Sequence, residues 1–74
     1  MTKEQQKAFK KITKSKFPKK FDFSKRGFYI PNYVDFTDDY VAFVDMEKDT
    51  MILTISHRMC SDKIFFINKK GEIK

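Results

Sequence analysis

Along the chain, apolar residues recur first at helical spacing and later in alternation. Among the first seventeen residues they fall at Ala8, Phe9, Ile12 and Phe17, separated by lysine and glutamine. At roughly 100° per residue, Ala8, Phe9 and Ile12 share one side of a helix. Lys3, Lys7, Lys10, Lys11 and Lys14 gather on the far side, within about 100° of one another. Thr2 followed by Gln5 fits a capping box, in which hydroxyl and amide satisfy the orphan N–H groups of the first turn. Pro18 disfavours helical geometry at Phe17. The spacing therefore predicts an amphipathic helix over residues 1–17, too narrow in its apolar stripe to insert into a bilayer interface and suited to docking on a sheet.

From Gly27 onward the pattern predicts an antiparallel meander. Phe28–Ile30 reads as a short strand, Pro31-Asn32 as a break, and Tyr33–Phe36 as a second extended piece closed by Asp38-Asp39. The clearest unit is a hairpin of Tyr40–Met46 and Thr50–His57. Pairing Met46 with Met51 puts Tyr40, Ala42, Val44, Met46, Met51, Leu53, Ile55 and His57 on one nearly apolar face, which should meet the helix. Val41, Phe43, Asp45, Ile52, Thr54 and Ser56 make the opposite, mixed face. A last strand is expected over Lys63–Asn68, turning through Lys69-Lys70-Gly71 into a short Glu72–Lys74 end. A capped helix over residues 61–71 is the alternative, and Ile-Phe-Phe-Ile favours the strand. The expected fold is α+β: an N-terminal amphipathic helix on one face of a sheet of about three to five antiparallel strands.

Residues 18–27, PKKFDFSKRG, join the two parts with alternating aromatic and basic residues. Phe21 and Phe23 point the same way in an extended segment and read as clips to the core. Such interleaving also occurs where cations track phosphates and rings stack on bases of single-stranded nucleic acid.

With 74 residues the chain is one small domain, whose core supplies only a few kcal/mol of net stability. Cys60 is the only cysteine, so no internal disulfide forms, which favours a reducing compartment. No apolar signal core and no spanning stretch is found, and the expected location is the cytoplasm. Charge is unevenly placed. Residues 1–26 hold ten basic residues against Glu4 and Asp22, a net of +8, whereas residues 27–74 hold six basic and eight acidic, a net of −2. That asymmetry points to an anionic partner, either an acidic protein surface or nucleic acid. The candidate contacts are Lys3, Lys7, Lys10, Lys11, Lys14, Lys19, Lys20, Lys25 and Arg26. Fourteen lysines, nine phenylalanines and seven isoleucines also match the codon bias of a low-GC genome, and a merely solvated helix face competes with the binding reading.

Aromatic residues exceed what one helix can cover. Phe65 and Phe66 are adjacent and face opposite ways, and Phe43 lies on the mixed face, so part of this surface is expected to be exposed as a contact patch or homodimer interface. Phe28, Tyr33, Phe43 and Phe65 are its candidate residues.

Chemical motifs are sparse. His57 and Cys60 are two soft ligands where a structural zinc site needs four, and no third group orients them as base and nucleophile. Asp35, Asp38, Asp39 and Asp45 read as turn formers and strand surface. Arg26-Gly27-Phe28 opens like the RNA-recognition octamer, but Tyr29 and Pro31 break that pattern, and no family is assigned. No catalytic residue, metal, cofactor or small-molecule substrate is expected. The resulting expectation is a small stand-alone binding protein, of the kind phages and mobile elements carry, that modulates or inhibits a macromolecular partner such as a nuclease complex. The alternative is weakly specific nucleic-acid binding.

Overall fold

A computed structural model describes residues 1–18, 27–30, 33, 40–57 and 60–74 of the chain. Within them are one helix, α1 (Lys3–Thr13), and four strands: β1 (Gly27–Tyr29), β2 (Tyr40–Glu47), β3 (Thr50–His57) and β4 (Cys60–Ile67). The strands form one antiparallel sheet in the order β1-β2-β3-β4, with each strand beside its neighbour in sequence. This is the expected α+β arrangement, a helix packed on one side of an antiparallel meander.

Helix α1 starts where the capping box predicts. Thr2 is extended, its hydroxyl accepts from the Gln5 N–H at 3.1 Å, and Gln5 Oε1 accepts from the Thr2 N–H at 2.9 Å. The helix stops at Thr13, four residues short of the expected end. Lys14 takes the left-handed conformation (φ 58°) and donates its N–H to Lys10 O at 2.7 Å. The Thr13 hydroxyl assists the stop by donating to Phe9 O at 2.8 Å and accepting from the Ser15 N–H at 3.2 Å. Local side-chain bonds of this kind compete with the helical ladder. Pro18 therefore follows the end of the helix without causing it.

The hairpin has the expected register, with Met46 opposite Met51 and Tyr40 opposite His57. Strand β1 lies one residue earlier than Phe28–Ile30, and Ile30 follows it fully buried. Strand β4 begins at Cys60 rather than Lys63, because a register shift between Ile55 and His57 brings Cys60 opposite His57 and takes Ser61 and Asp62 into the strand at the irregularity. It ends at Ile67 because Asn68 is drawn into a turn: its Oδ1 accepts from the N–H groups of Lys70 and Glu72 at 3.0 and 2.9 Å. Gly71 has the positive φ (83°) foreseen for that turn. Ile73 then bridges back to Ile67, and the Lys74 N–H donates to Phe66 O at 2.8 Å. The segment 61–71 is thus strand and turn, not helix. The extended piece expected at Tyr33–Phe36 lies outside the described residues except for Tyr33, and so does most of the 18–27 connector.

The core forms between α1 and one side of the sheet. Phe9, Ala42, Val44, Met51, Leu53, Ile55 and Ile67 are essentially sealed from solvent, with Ile12, Phe17, Tyr40, Met46 and Phe65 packed around them. Gln5 is fully buried as well, and its amide is satisfied. Nε2 donates to Asp49 O at 2.7 Å and to Ile67 O at 3.2 Å, tying the helix to the β2–β3 turn and to the end of β4. Among the described residues no helix is long and apolar enough to cross a membrane.

Candidate functional site

Two surfaces of different chemistry lie on opposite sides of the sheet. The first is the outward face of α1. The turns that bury Gln5, Ala8, Phe9 and Thr13 leave Lys3, Lys7, Lys10, Lys11 and Lys14 exposed, as the helical spacing predicts. Lys19, Lys20, Lys25 and Arg26 lie outside the described residues. The fold adds a cation that the linear pattern concealed. A groove of about 260 Å³ runs between α1 and the C-terminal turn, lined by Glu4, Lys7, Ala8, Lys11, Lys70, Gly71 and Ile73. Lys70 thereby joins Lys7 and Lys11 although more than fifty residues separate them in sequence.

Gly71 makes this approach feasible. A Cβ there would stand 2.8 Å from the backbone oxygen of Glu4, so only glycine lets the turn sit this close to the helix. The Thr2 hydroxyl, which donates to Lys69 O at 2.9 Å, holds the same junction. The only hint of this in the sequence is the Lys-Lys-Gly turn, and nothing local says which element it meets.

The second surface is the side of the sheet facing away from α1. Alternation along the strands puts Val41, Phe43 and Asp45 of β2, Ile52, Thr54 and Ser56 of β3, and Ile64 and Phe66 of β4 on it, with Tyr29 of β1 opposite Val41. Tyr29 is 69% exposed, Ile64 55%, Phe66 46% and Phe43 45%. The Phe43 ring lies across Gly27, where a Cβ would come within 2.8 Å of it. This is an aromatic filling the space above a strand glycine.

Of the aromatic candidates, Phe43 lies on this exposed side. Phe65 pairs with Leu53 and is half-buried against the core. Its neighbour Phe66 takes the outward position, as opposite pleats require. Tyr33 also packs against the core, edge-on to Tyr40 at 5.1 Å between ring centroids. Phe28 pairs with Ala42 in the ladder, and its side chain lies outside the described set.

His57 stands opposite Cys60 at the register shift, half-buried, with its ring 4.6 Å from that of Tyr40 and tilted by 41°. Among the described residues no group of three or more His, Cys, Asp or Glu side chains converges as a metal site would require. Asp45 is on the outer side, its Oδ1 accepting from the Met46 N–H at 2.9 Å. Asp35, Asp38 and Asp39 are outside the described residues. No family model, curated protein or solved structure matches the chain.

Proposed function

We propose that the chain is a non-catalytic binding protein that modulates or inhibits a macromolecular partner by presenting the lysine face of α1 to an acidic protein surface. The observation that carries this reading is the concentration of Lys3, Lys7, Lys10, Lys11 and Lys14 on the exposed side of the helix, with Lys70 brought alongside Lys7 and Lys11. A predominantly basic surface of this kind raises association rates and orients an oppositely charged partner. Nucleic acid is the second reading, because phosphates would satisfy the same cations. What favours a protein is the separation of rings from cations among the described residues. Unspecific single-strand binders set aromatic platforms among their basic residues, whereas here the exposed rings of Tyr29, Phe43 and Phe66 lie across the sheet from α1.

Affinity capture from cell lysate at low salt, with and without nuclease, tests the reading against Lys7→Glu/Lys11→Glu/Lys14→Glu. The expected result is a protein captured by the native chain, retained after nuclease treatment and lost on charge reversal. Capture that disappears with nuclease transfers the lysine face to nucleic acid. Capture unchanged by the triple substitution removes that face from function altogether.

A further inference from the structure

We propose that the groove between α1 and the C-terminal turn is the specific site within the lysine face, and that it takes a short acidic peptide segment of the partner in which one aliphatic side chain is flanked by carboxylates. The proposal rests on the protein-binding reading above and narrows it from a face to a site. Seen down the helix axis, the lysines divide into two flanks. Lys7 and Lys11, one turn apart, lie towards Glu4 and Ala8 and line the groove, where Lys70 joins them from the turn. Lys3, Lys10 and Lys14 lie on the other flank and line none of it. The three groove lysines are exposed, and among the described residues no ion pair joins them to Glu4.

Lysines alone do not tell a carboxylate from a phosphate, but the rest of the groove does. Ile73, 45% exposed, lines it together with Ala8, so a ligand gains by covering aliphatic surface as well as by pairing charge. A phosphate has nothing to place there. The backbone of the turn is also unsuited to phosphate. Anion sites in turns use a nest of successive free N–H groups, whereas here the N–H groups of Lys70 and Glu72 donate to Asn68 Oδ1 at 3.0 and 2.9 Å, and that of Gly71 donates to Asn68 O at 2.9 Å. Glu4 adds a carboxylate at the N-terminal end of the helical wall. That group repels a continuous run of phosphates and offers an acceptor to a peptide N–H.

Size fits the same ligand. Glu4 and Lys11 stand two turns apart, about 10 Å along the helix, a distance that roughly three residues of extended chain cross. A groove of about 260 Å³ holds a few side-chain groups rather than a folded surface. Its second wall stands close only because Gly71 lets the turn touch Glu4, so the site exists only when helix and turn are docked. Solvated lysine–carboxylate pairs contribute little each, and the isolated segment should therefore bind weakly and in a salt-dependent way.

The test is an NMR chemical-shift titration of the full chain at physiological salt with three capped peptides. One has a leucine flanked by glutamates, the second has serine in place of the leucine, and the third has glutamines in place of the glutamates. The Glu/Leu peptide should bind about five-fold more tightly than Glu/Ser and about ten-fold more tightly than Gln/Leu, and should shift the signals of Ala8, Lys70 and Ile73. Lys7→Gln/Lys11→Gln/Lys70→Gln should weaken it about ten-fold, whereas Lys3→Gln/Lys10→Gln/Lys14→Gln, which removes the same charge, should stay within about two-fold. Ile73→Thr guards against misfolding, since it should erase the preference for leucine over serine while leaving the Glu/Ser affinity unchanged. Equal losses in the two lysine variants overturn the groove but leave a diffuse lysine face, so the function proposed above survives that result. Equal affinity for Glu/Leu and Glu/Ser overturns the groove in the same way. Lysate capture indifferent to Lys7→Glu/Lys11→Glu/Lys14→Glu removes the protein-binding reading and this proposal with it. A single-stranded oligonucleotide of equal charge that binds more tightly than Glu/Leu and shifts the same signals assigns the groove to nucleic acid instead.

Discussion

The two sides of the sheet are built from the same three long strands, and they differ in almost everything except backbone. Towards α1 the alternate residues Val44, Leu53 and Ile67 have no solvent exposure, and a polar group buried with them, Gln5, has its amide hydrogens bonded to Asp49 O and Ile67 O. Away from α1 the residues one step along, Phe43, Ile64 and Phe66, keep about half their surface in water. Both sides are apolar enough to be buried, and only one is. Apolar content alone therefore does not say which side is core. The amphipathic helix decides that, by supplying Ala8 and Phe9 to one side of the sheet.

The comparison breaks most readily at the core. Leu53→Ala removes a fully buried side chain and leaves a cavity, and should cost about 3 kcal/mol in urea unfolding. A loss below about 1 kcal/mol would mean that α1 does not seal this side. Gly71→Ala probes the seat of the helix. It places a methyl group against Glu4 O at a φ of 83°, and a destabilisation of about 2 kcal/mol is expected from strain and displacement together. If thermal melting is unchanged, the close approach of turn and helix is not as described. Phe66→Ser should have the smallest effect, within about 0.5 kcal/mol of the native chain. A loss comparable to that of Leu53→Ala would show the outer side to be covered, and the contrast between the sides would collapse.

Much of the fold is legible locally. The Thr2–Gln5 box and the hairpin register follow from short-range chemistry and strict alternation, because a one-residue slip would turn Leu53 and Ile55 outward. What escapes local reading depends on partners distant in sequence or on side-chain bonds with no strong pattern. Thr13 ends α1 through bonds to Phe9 and Ser15, where Pro18 looked the stronger signal. Ser61 and Asp62 resemble turn residues, yet the irregularity at Ile55/His57 draws them into β4. The lysine face follows from helical spacing, but Lys70 joins it only because Gly71 lets the C-terminal turn touch the helix. The opposition of lysines and exposed rings follows from the side on which the helix docks.

The clasp at Gln5 also imposes an order of assembly. Its partner carbonyls lie 44 and 62 residues away, and the Thr2–Lys69 bond spans 67. The β2–β3 hairpin, by contrast, closes over a short turn. Closing the longer loops costs more chain entropy before any contact compensates. We infer that the strands pair first and the helix swings in last, completing a surface that the sheet has already shaped. Gln5→Ala should then speed unfolding while leaving the folding rate nearly unchanged, and an equal slowing of folding would place the helix in the nucleus instead.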